Sequence, residues 1–202
     1  MNILIICGSS REKSQSSLVC DLIADRIQMK TEKINISSIS LAGNPIPFWK
    51  EGIDDSNCVI DWKNMAHKFD MADAYVFVVP EWNGMAPADV KNLFHMLDTR
   101  LVGHKPALIV AVSSGDGGAY VVAELKMFST KNNFLIYLPE HLILRRISIF
   151  LASESSPSDR RKLESVYERI DYSLAVLLEY SKALKRVRES GVLKMAKFRY
   201  GM

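Results

Sequence analysis

The 202-residue sequence is poor in cysteine: Cys7, Cys20 and Cys58 are odd in number, widely spaced and form no C-x-x-C. This argues against a disulfide framework and a thiolate metal site, and it fits a reducing compartment. Histidine is also scarce. His67, His95, His104 and His141 form no H-E-x-x-H and no i,i+4 pair, so no metal site is expected. No apolar run approaches the roughly 18 uncharged residues of a membrane span. The chain opens on a strand-like Asn-Ile-Leu-Ile-Ile-Cys rather than a basic segment with a cleavage site, so a cytoplasmic protein is expected. With 10 Gly and 7 Pro and no internal repeat, collagen-like and low-complexity classes are excluded. What is present is ordinary globular composition, 48% hydrophobic and 24% charged. The length suits one domain, expected over residues 1–190, with a basic tail over 191–202.

The net charge of +3 is unevenly distributed. Lys182, Lys185, Arg186, Arg188, Lys194, Lys197 and Arg199 face only Glu189, a local +6 that leaves −3 for the first 181 residues. A solvated helix end is the simplest account, because cations in a last helical turn complement its dipole. No nucleic-acid module accompanies the charge, and no nucleic-acid partner is expected.

Continuous apolar runs at 2–7, 74–79 and 106–112 predict strands buried on both faces of a parallel sheet. Lys33–Ile36 and Phe134–Leu138 predict two more, and residues 142–151 read as a further short strand or a packed loop. Helical spacing predicts helices over 16–29 (Leu18, Leu22, Ile23 and Ile27 inward), 57–71 (Trp62 and Phe69 to the core), 87–98, 119–130 and 158–190. Leu41–Gly52, with Phe48 and Trp49, reads as a long loop whose aromatics pack. The alternation of strand and helix predicts an α/β fold with a mostly parallel sheet and helices on both faces. Ligands of such sheets bind beyond the carboxyl ends of the strands.

The segments after the strong strands are therefore the informative ones. Gly8-Ser-Ser-Arg-Glu-Lys-Ser-Gln-Ser-Ser17 carries five hydroxyls and two cations into a helix start, which suits a phosphate. It lacks the second glycine of a Walker A loop, and a G-x-G-x-x-G dinucleotide loop fails as well. Cys7 followed by Lys13-Ser14 mimics a tyrosine-phosphatase loop, but with Lys where that chemistry wants a bidentate Arg. Pro80-Glu-Trp-Asn-Gly-Met-Ala-Pro87 and Ser113-Ser-Gly-Asp-Gly-Gly118 strip side chains from the same sheet edge, where a flat heterocycle could approach the main chain.

These motifs resemble those of the NADPH-dependent FMN reductase family of flavodoxin-like proteins, which includes quinone, chromate and azo-dye reductases. Gly8-Ser9-x-Arg11-x-x-Ser14-x-Ser16 is similar to the family's G-S-x-R-x-x-S-x-N. Pro80-Glu81-Trp82-Asn83-Gly84 with Pro87, Lys91 and Asn92 is similar to P-E-Y-N-G-x-x-P-x-x-x-K-N. Two residues depart: Ser16 stands for Asn, and Trp82 for Tyr. The resemblance implies a flavodoxin-like doubly wound five-stranded parallel sheet. It implies an FMN-dependent NAD(P)H oxidoreductase that passes a hydride from NADPH or NADH to bound FMN, then to free flavin, a quinone, chromate or an azo compound. Ser9, Arg11, Ser14, Gln15 and Ser16 would hold the FMN phosphate. Pro80, Glu81, Trp82, Asn83 and Gly84 would line the isoalloxazine, and Ser113, Ser114, Gly115, Gly117 and Gly118 would approach its pyrimidine side. No side chain is required as a catalytic acid, base or nucleophile, because the flavin carries the chemistry. A homodimer or homotetramer built partly from the helix after Pro87 is implied. The alternatives are an FMN-binding electron carrier or regulatory protein, which the lack of a strongly acidic surface disfavours, and a Cys-dependent phosphatase.

Overall fold

Asn2–Cys7 (β1), Ala74–Pro80 (β3) and Pro106–Val112 (β4) lie side by side and, Asn2 apart, are consecutive apolar residues that are almost wholly buried. Asn35–Ser40 (β2) and Ile136–Leu144 (β5) are more polar and form the two edges. The computed structural model describes residues 1–30, 33–43, 46–51, 60–148 and 157–198, and in it the five strands run parallel in the order β2-β1-β3-β4-β5.

The helices are Gln15–Lys30 (α1), Ile60–Met71 (α2), Ala88–Met96 (α3), Thr99–Val102 (α4), Ala119–Phe128 (α5) and Pro157–Glu189 (α6). Period-two alternation splits each buried strand between two cores. Ile3, Ile5, Val76, Val78, Leu108 and Val110 meet α1 and α6 through Val19, Ile23, Ile170, Leu174 and Leu177. Leu4, Ile6, Tyr75, Phe77, Ile109 and Ala111 meet α2, α3 and α5 through Trp62, Phe69, Val90, Leu93 and Leu125. Phe77 touches the rings of Tyr75, Phe94 and Tyr137 at centroid distances of 5.2–6.4 Å. Cutting it to Ala would cost about 3–5 kcal/mol.

Several expected boundaries are corrected. β5 begins at Ile136 rather than Phe134, whose φ is +58°, and it runs on through Pro139 to Leu144, so 142–144 are not a separate strand. Proline is tolerated there because β5 is an edge strand with a register shift against β4. The helix expected over 87–98 is α3, Ala88–Met96, and a separate short helix, α4, follows it. Pro87 is the N-cap of α3, and the Asp98 carboxylate accepts the Arg100 and Leu101 N–H groups (2.9 and 3.2 Å) to start α4. α5 ends at Phe128, and β2 extends to Ser40. The expected start of α2 at residue 57 lies outside the described residues. Leu18, expected inward, is exposed, and Val19 takes the core position.

Among the described residues no helix is long and apolar enough to cross a membrane, and no cluster of three metal-ligating side chains occurs.

Candidate flavin-binding site

The sheet order reverses between β1 and β3, and the main cleft opens there, at the carboxyl ends of β1, β3 and β4. Its volume is about 860 Å³. One wall is the segment from Ser9 to Leu18, the other is Pro80–Asn83, and Val112, Ser114 and Ile147 close the floor.

The first wall is built by the start of α1. Ser14 is its N-cap, its Oγ accepting the Ser17 N–H (3.1 Å), and the Ser17 hydroxyl donates to the Ser14 carbonyl (2.7 Å). Capping thus accounts for one serine of five. Ser9 is buried, its Oγ accepting the Arg11 N–H (3.2 Å), and Ser16 is buried as well. Ser10 bonds Asp89 of α3, tying the loop to the opposite helix. First-turn amides of a helix lack intrahelical partners, and those of Gln15 and Ser16 belong to residues lining the cleft. The hydroxyl-bearing Ser9, Ser14 and Ser16, the Arg11 cation and the helix start thus share the first wall.

The second wall is a miniature hairpin. Trp82 and Met85 exchange both backbone hydrogen bonds (2.9 and 3.0 Å), with Asn83 (φ +51°) and Gly84 (φ +73°) as the two-residue turn. Asn-Gly is the pair that such a left-handed turn favours. Carboxylates hold the hairpin at both ends. Glu81 accepts the Gly118 N–H at 2.5 Å, and Glu124 of α5 accepts the Ala86 N–H at 2.7 Å while pairing with Lys91 at 2.6 Å. Arg11 stacks its guanidinium on the Trp82 ring, 4.9 Å from the centroid, joining the two walls.

The structure divides the expected site residues. Ser9, Arg11, Ser14, Gln15, Ser16, Pro80, Glu81, Trp82, Asn83 and Ser114 line the cleft together. Gly84, Ser113, Gly115, Gly117 and Gly118 do not. Gly84 is at the hairpin tip, and Ser113 bonds its neighbours through main chain and Oγ. A Cβ on Gly117 would lie 2.0 Å from Glu81 Oε1, and one on Gly118 (φ +100°) would lie 2.5 Å from Ile143 Cγ2. These two glycines are explained by close packing within the protein. Lys91 and Asn92 are scaffold as well: Asn92 donates to the Pro47 carbonyl (2.9 Å) and accepts the Trp49 N–H (2.8 Å), and Trp49 stacks on His95.

Sequence reasoning passed over the segment after β5. Arg145 donates to the Asp116 and Gly117 carbonyls (2.7 and 3.0 Å), and Arg146 binds the Asp116 carboxylate through two 2.9 Å bonds. The Arg146 guanidinium holds the Asp116 carboxyl below its ordinary range. The adjacent Arg-Arg was the available signal, but nothing local pairs it with a loop about 30 residues earlier.

Cys7 lies outside this cleft. It lines a separate recess of about 230 Å³ with Cys20, whose thiol, hydrogen-bonded to it, holds Cys7 down at about 6 against the opposing effect of burial. Cys20 is correspondingly pushed up by that bond and by burial. The Ser9 main chain and the Ser14 side chain also bond this thiol, so Cys7 underlies the loop without lining the cleft, and with Lys13 where phosphatase chemistry wants a bidentate Arg the phosphatase reading is disfavoured.

The family model for NADPH-dependent FMN reductases matches residues 1–147. The chain belongs to this family. An NAD(P)H-dependent FMN reductase of Schizosaccharomyces pombe is 30% identical over 131 residues, 61% of this chain and 63% of that protein's length. The flavodoxin-like fold is shared with solved structures at 16% identity or below. An oxidoreductase from Corynebacterium diphtheriae superposes with TM-score 0.63 at 16% identity over 87% of this chain and 95% of that one. The flavoenzyme NAD(P)H:(acceptor) oxidoreductase FerB from Paracoccus denitrificans does so with TM-score 0.63 at 14% identity over 90% and 97%. Within the family's two sequence motifs, Ser9–Ser16 and Pro80–Asn83 supply the two walls of the cleft, while Lys91 and Asn92 serve the scaffold.

The residues present fit FMN. The cleft volume lies within the roughly 300–1,000 Å³ of cofactor sites. Its lining combines the hydroxyls and the guanidinium of the Ser9–Leu18 segment with the apolar Pro80, Val112 and Ile147 and the Trp82 ring.

Proposed function

We propose that this protein is an FMN-dependent NAD(P)H oxidoreductase that delivers electrons to a small-molecule acceptor such as free flavin, a quinone, chromate or an azo compound. The observation that carries the reading is the facing of the α1 anion end and the β3 hairpin across one cleft at the switch point. When bound, FMN supplies the two-electron redox chemistry, accepting a hydride equivalent from the nicotinamide and yielding it to the acceptor.

This chain's own residues bind, orient and shield. Ser9, Ser14 and Ser16 would donate hydroxyl hydrogen bonds to the phosphate, Gln15 and Ser16 would offer main-chain amides, and Arg11 would supply the compensating charge. Pro80–Asn83 form a stiff wall for the ring, because the hairpin is anchored by Glu81 and Glu124 rather than by the ligand. Ser114 and Ile147 shape the floor, with the Arg145 and Arg146 contacts holding the loop that carries Ser114. Trp82, larger than the family's Tyr, narrows the mouth and sets which planar acceptors enter. Reductant and acceptor share one mouth, so ping-pong kinetics are expected.

The test is anaerobic addition of NADPH, or NADH, to purified FMN-loaded protein. Bleaching of the flavin absorbance within seconds, reversed by a quinone, supports the reading. A flavin that binds but stays oxidised under both nucleotides would reduce the protein to an electron carrier.

A further inference from the structure

The cleft occupies the sheet edge where the strands end, and the cationic end of α6 lies at the opposite edge. Arg188 donates to the carbonyl of His104 (2.9 Å) and pairs with Asp73 at 3.7 Å, and these two residues precede β4 and β3. Met195 reaches the same base, its sulfur 3.0 Å from where a Cβ on Gly103 would stand. About 20 Å of strand separates this base from the cleft.

Residues 182–198 carry six cations against Glu189, and Glu179 one turn earlier pairs with Lys182 at 2.6 Å. Arg188 is half-buried in the contacts above, whereas Lys182, Lys185, Arg186, Lys194 and Lys197 are exposed. Helix-dipole compensation accounts for few of them. Only Arg186 and Arg188 lie in the last turn, Gly191 (φ +74°) follows it, and Lys194 caps the Gly191 carbonyl. Lys182, Lys185 and Arg186 share the outer helix face by their i, i+3 and i+4 spacing. Interleaved with them stand exposed apolar side chains: Val187, Val192 at 67% and Phe198 at 53%.

We propose that this base docks on the surface of an anionic lipid bilayer. Lys182, Lys185, Arg186, Lys194 and Lys197 would lie over the headgroups, with Val192 and Phe198 entering the interface. Two signals of different kinds, cations and apolar side chains, are what reversible attachment without a span requires. Lysine predominates over arginine four to one in the exposed set, which suits diffuse attraction to headgroups better than forked readout of nucleic-acid phosphates. Docking by the base leaves the cleft facing the water, so turnover and attachment are independent.

The test uses the full chain loaded with FMN and co-sedimented with vesicles of phosphatidylcholine alone or mixed with phosphatidylserine. Retention is expected only on the mixed vesicles and is expected to be lost at high ionic strength, because the attraction is screened within a Debye length. Each cation contributes roughly fivefold to such partitioning, so the charge-neutralised triple variant K185Q/R186Q/K197Q is expected to bind roughly a hundredfold more weakly. Phe198→Ser is expected to lower retention severalfold at unchanged charge. Both variants should keep the parent's melting temperature and NADPH oxidation, since every altered side chain is exposed and distant from the cleft. The proposal is overturned by absent retention, by equal retention on the two vesicle types, by a triple variant that binds as before, or by duplex RNA that displaces the protein from mixed vesicles at equal salt. The readout is independent of flavin chemistry, so its failure leaves the reductase reading standing.

Discussion

The Glu81 carboxylate accepts the Gly118 N–H at 2.5 Å and sits where a Cβ on Gly117 would have to be, only 2.0 Å from Glu81 Oε1. The loop after β3 and the loop after β4 are thereby locked to each other, and the glycine is the condition for the lock. Glu81→Ala is expected to lose about 1–2 kcal/mol of stability by leaving a half-buried amide unpaired. Gly117→Ala is expected to lose a similar amount by expelling the carboxylate. In the double variant the second change should cost little, because both break one contact. Denaturant melts of the four proteins would reveal additivity, and additive losses would mean that the two residues act separately.

Arg11 carries the phosphate's compensating charge in the proposed site and rests on the Trp82 ring. A charge-assisted bond is worth about 1.5–3 kcal/mol, so Arg11→Ala should weaken FMN roughly ten- to hundredfold. Riboflavin, which lacks the phosphate, should bind almost unchanged. Parallel titrations decide it, and equal losses for both ligands would withdraw the assignment.

Gly84 has room for a side chain, since an added Cβ would meet only the Tyr120 ring at 3.8 Å. Its constraint is the backbone, at φ +73°. Gly84→Val is expected to cost about 1–3 kcal/mol, and Gly84→Asn much less, because asparagine tolerates left-handed backbone. If strain alone matters, the order of the two variants in FMN titrations should follow their order in melts. A valine variant as stable as the parent would contradict the turn geometry.

Arg26 of α1 donates to Asp171 of α6 (Nε to Oδ1, 2.9 Å), and this bond holds the Asp171 carboxyl below its ordinary range. A carboxylate with a depressed folded value contributes its stability fully above the unfolded pKa, near 3.9. The contribution is lost as pH falls through the lower folded value. Asp171→Asn should therefore cost about 0.5–1 kcal/mol at neutral pH, given the pair's partial exposure, and the difference should shrink below about pH 4. A gap between parent and variant melts that persists unchanged into acid would rule out this pair as its source.

What was legible in the sequence was whatever a contiguous stretch can encode. Runs such as Ala74–Val79 and Pro106–Val112 are buried on both faces whatever their neighbours, so their length and apolarity suffice to mark central strands. The serine-rich start of α1 and the Pro80–Asn83 wall were readable for the same reason: a helix start and a side-chain-poor loop advertise their chemistry locally. Tertiary structure decided which polar residues face the cleft and which serve the scaffold. Asn92 holds Pro47 and Trp49, Gly117 yields to Glu81, and Arg145 and Arg146 hold the loop at Asp116. It also carried β5 through Pro139, because only an edge position spares a strand the missing N–H. Each of these depends on a partner tens of residues away in the chain. Local sequence specifies the propensity of an element, whereas the partner of a side chain is set by how the elements pack.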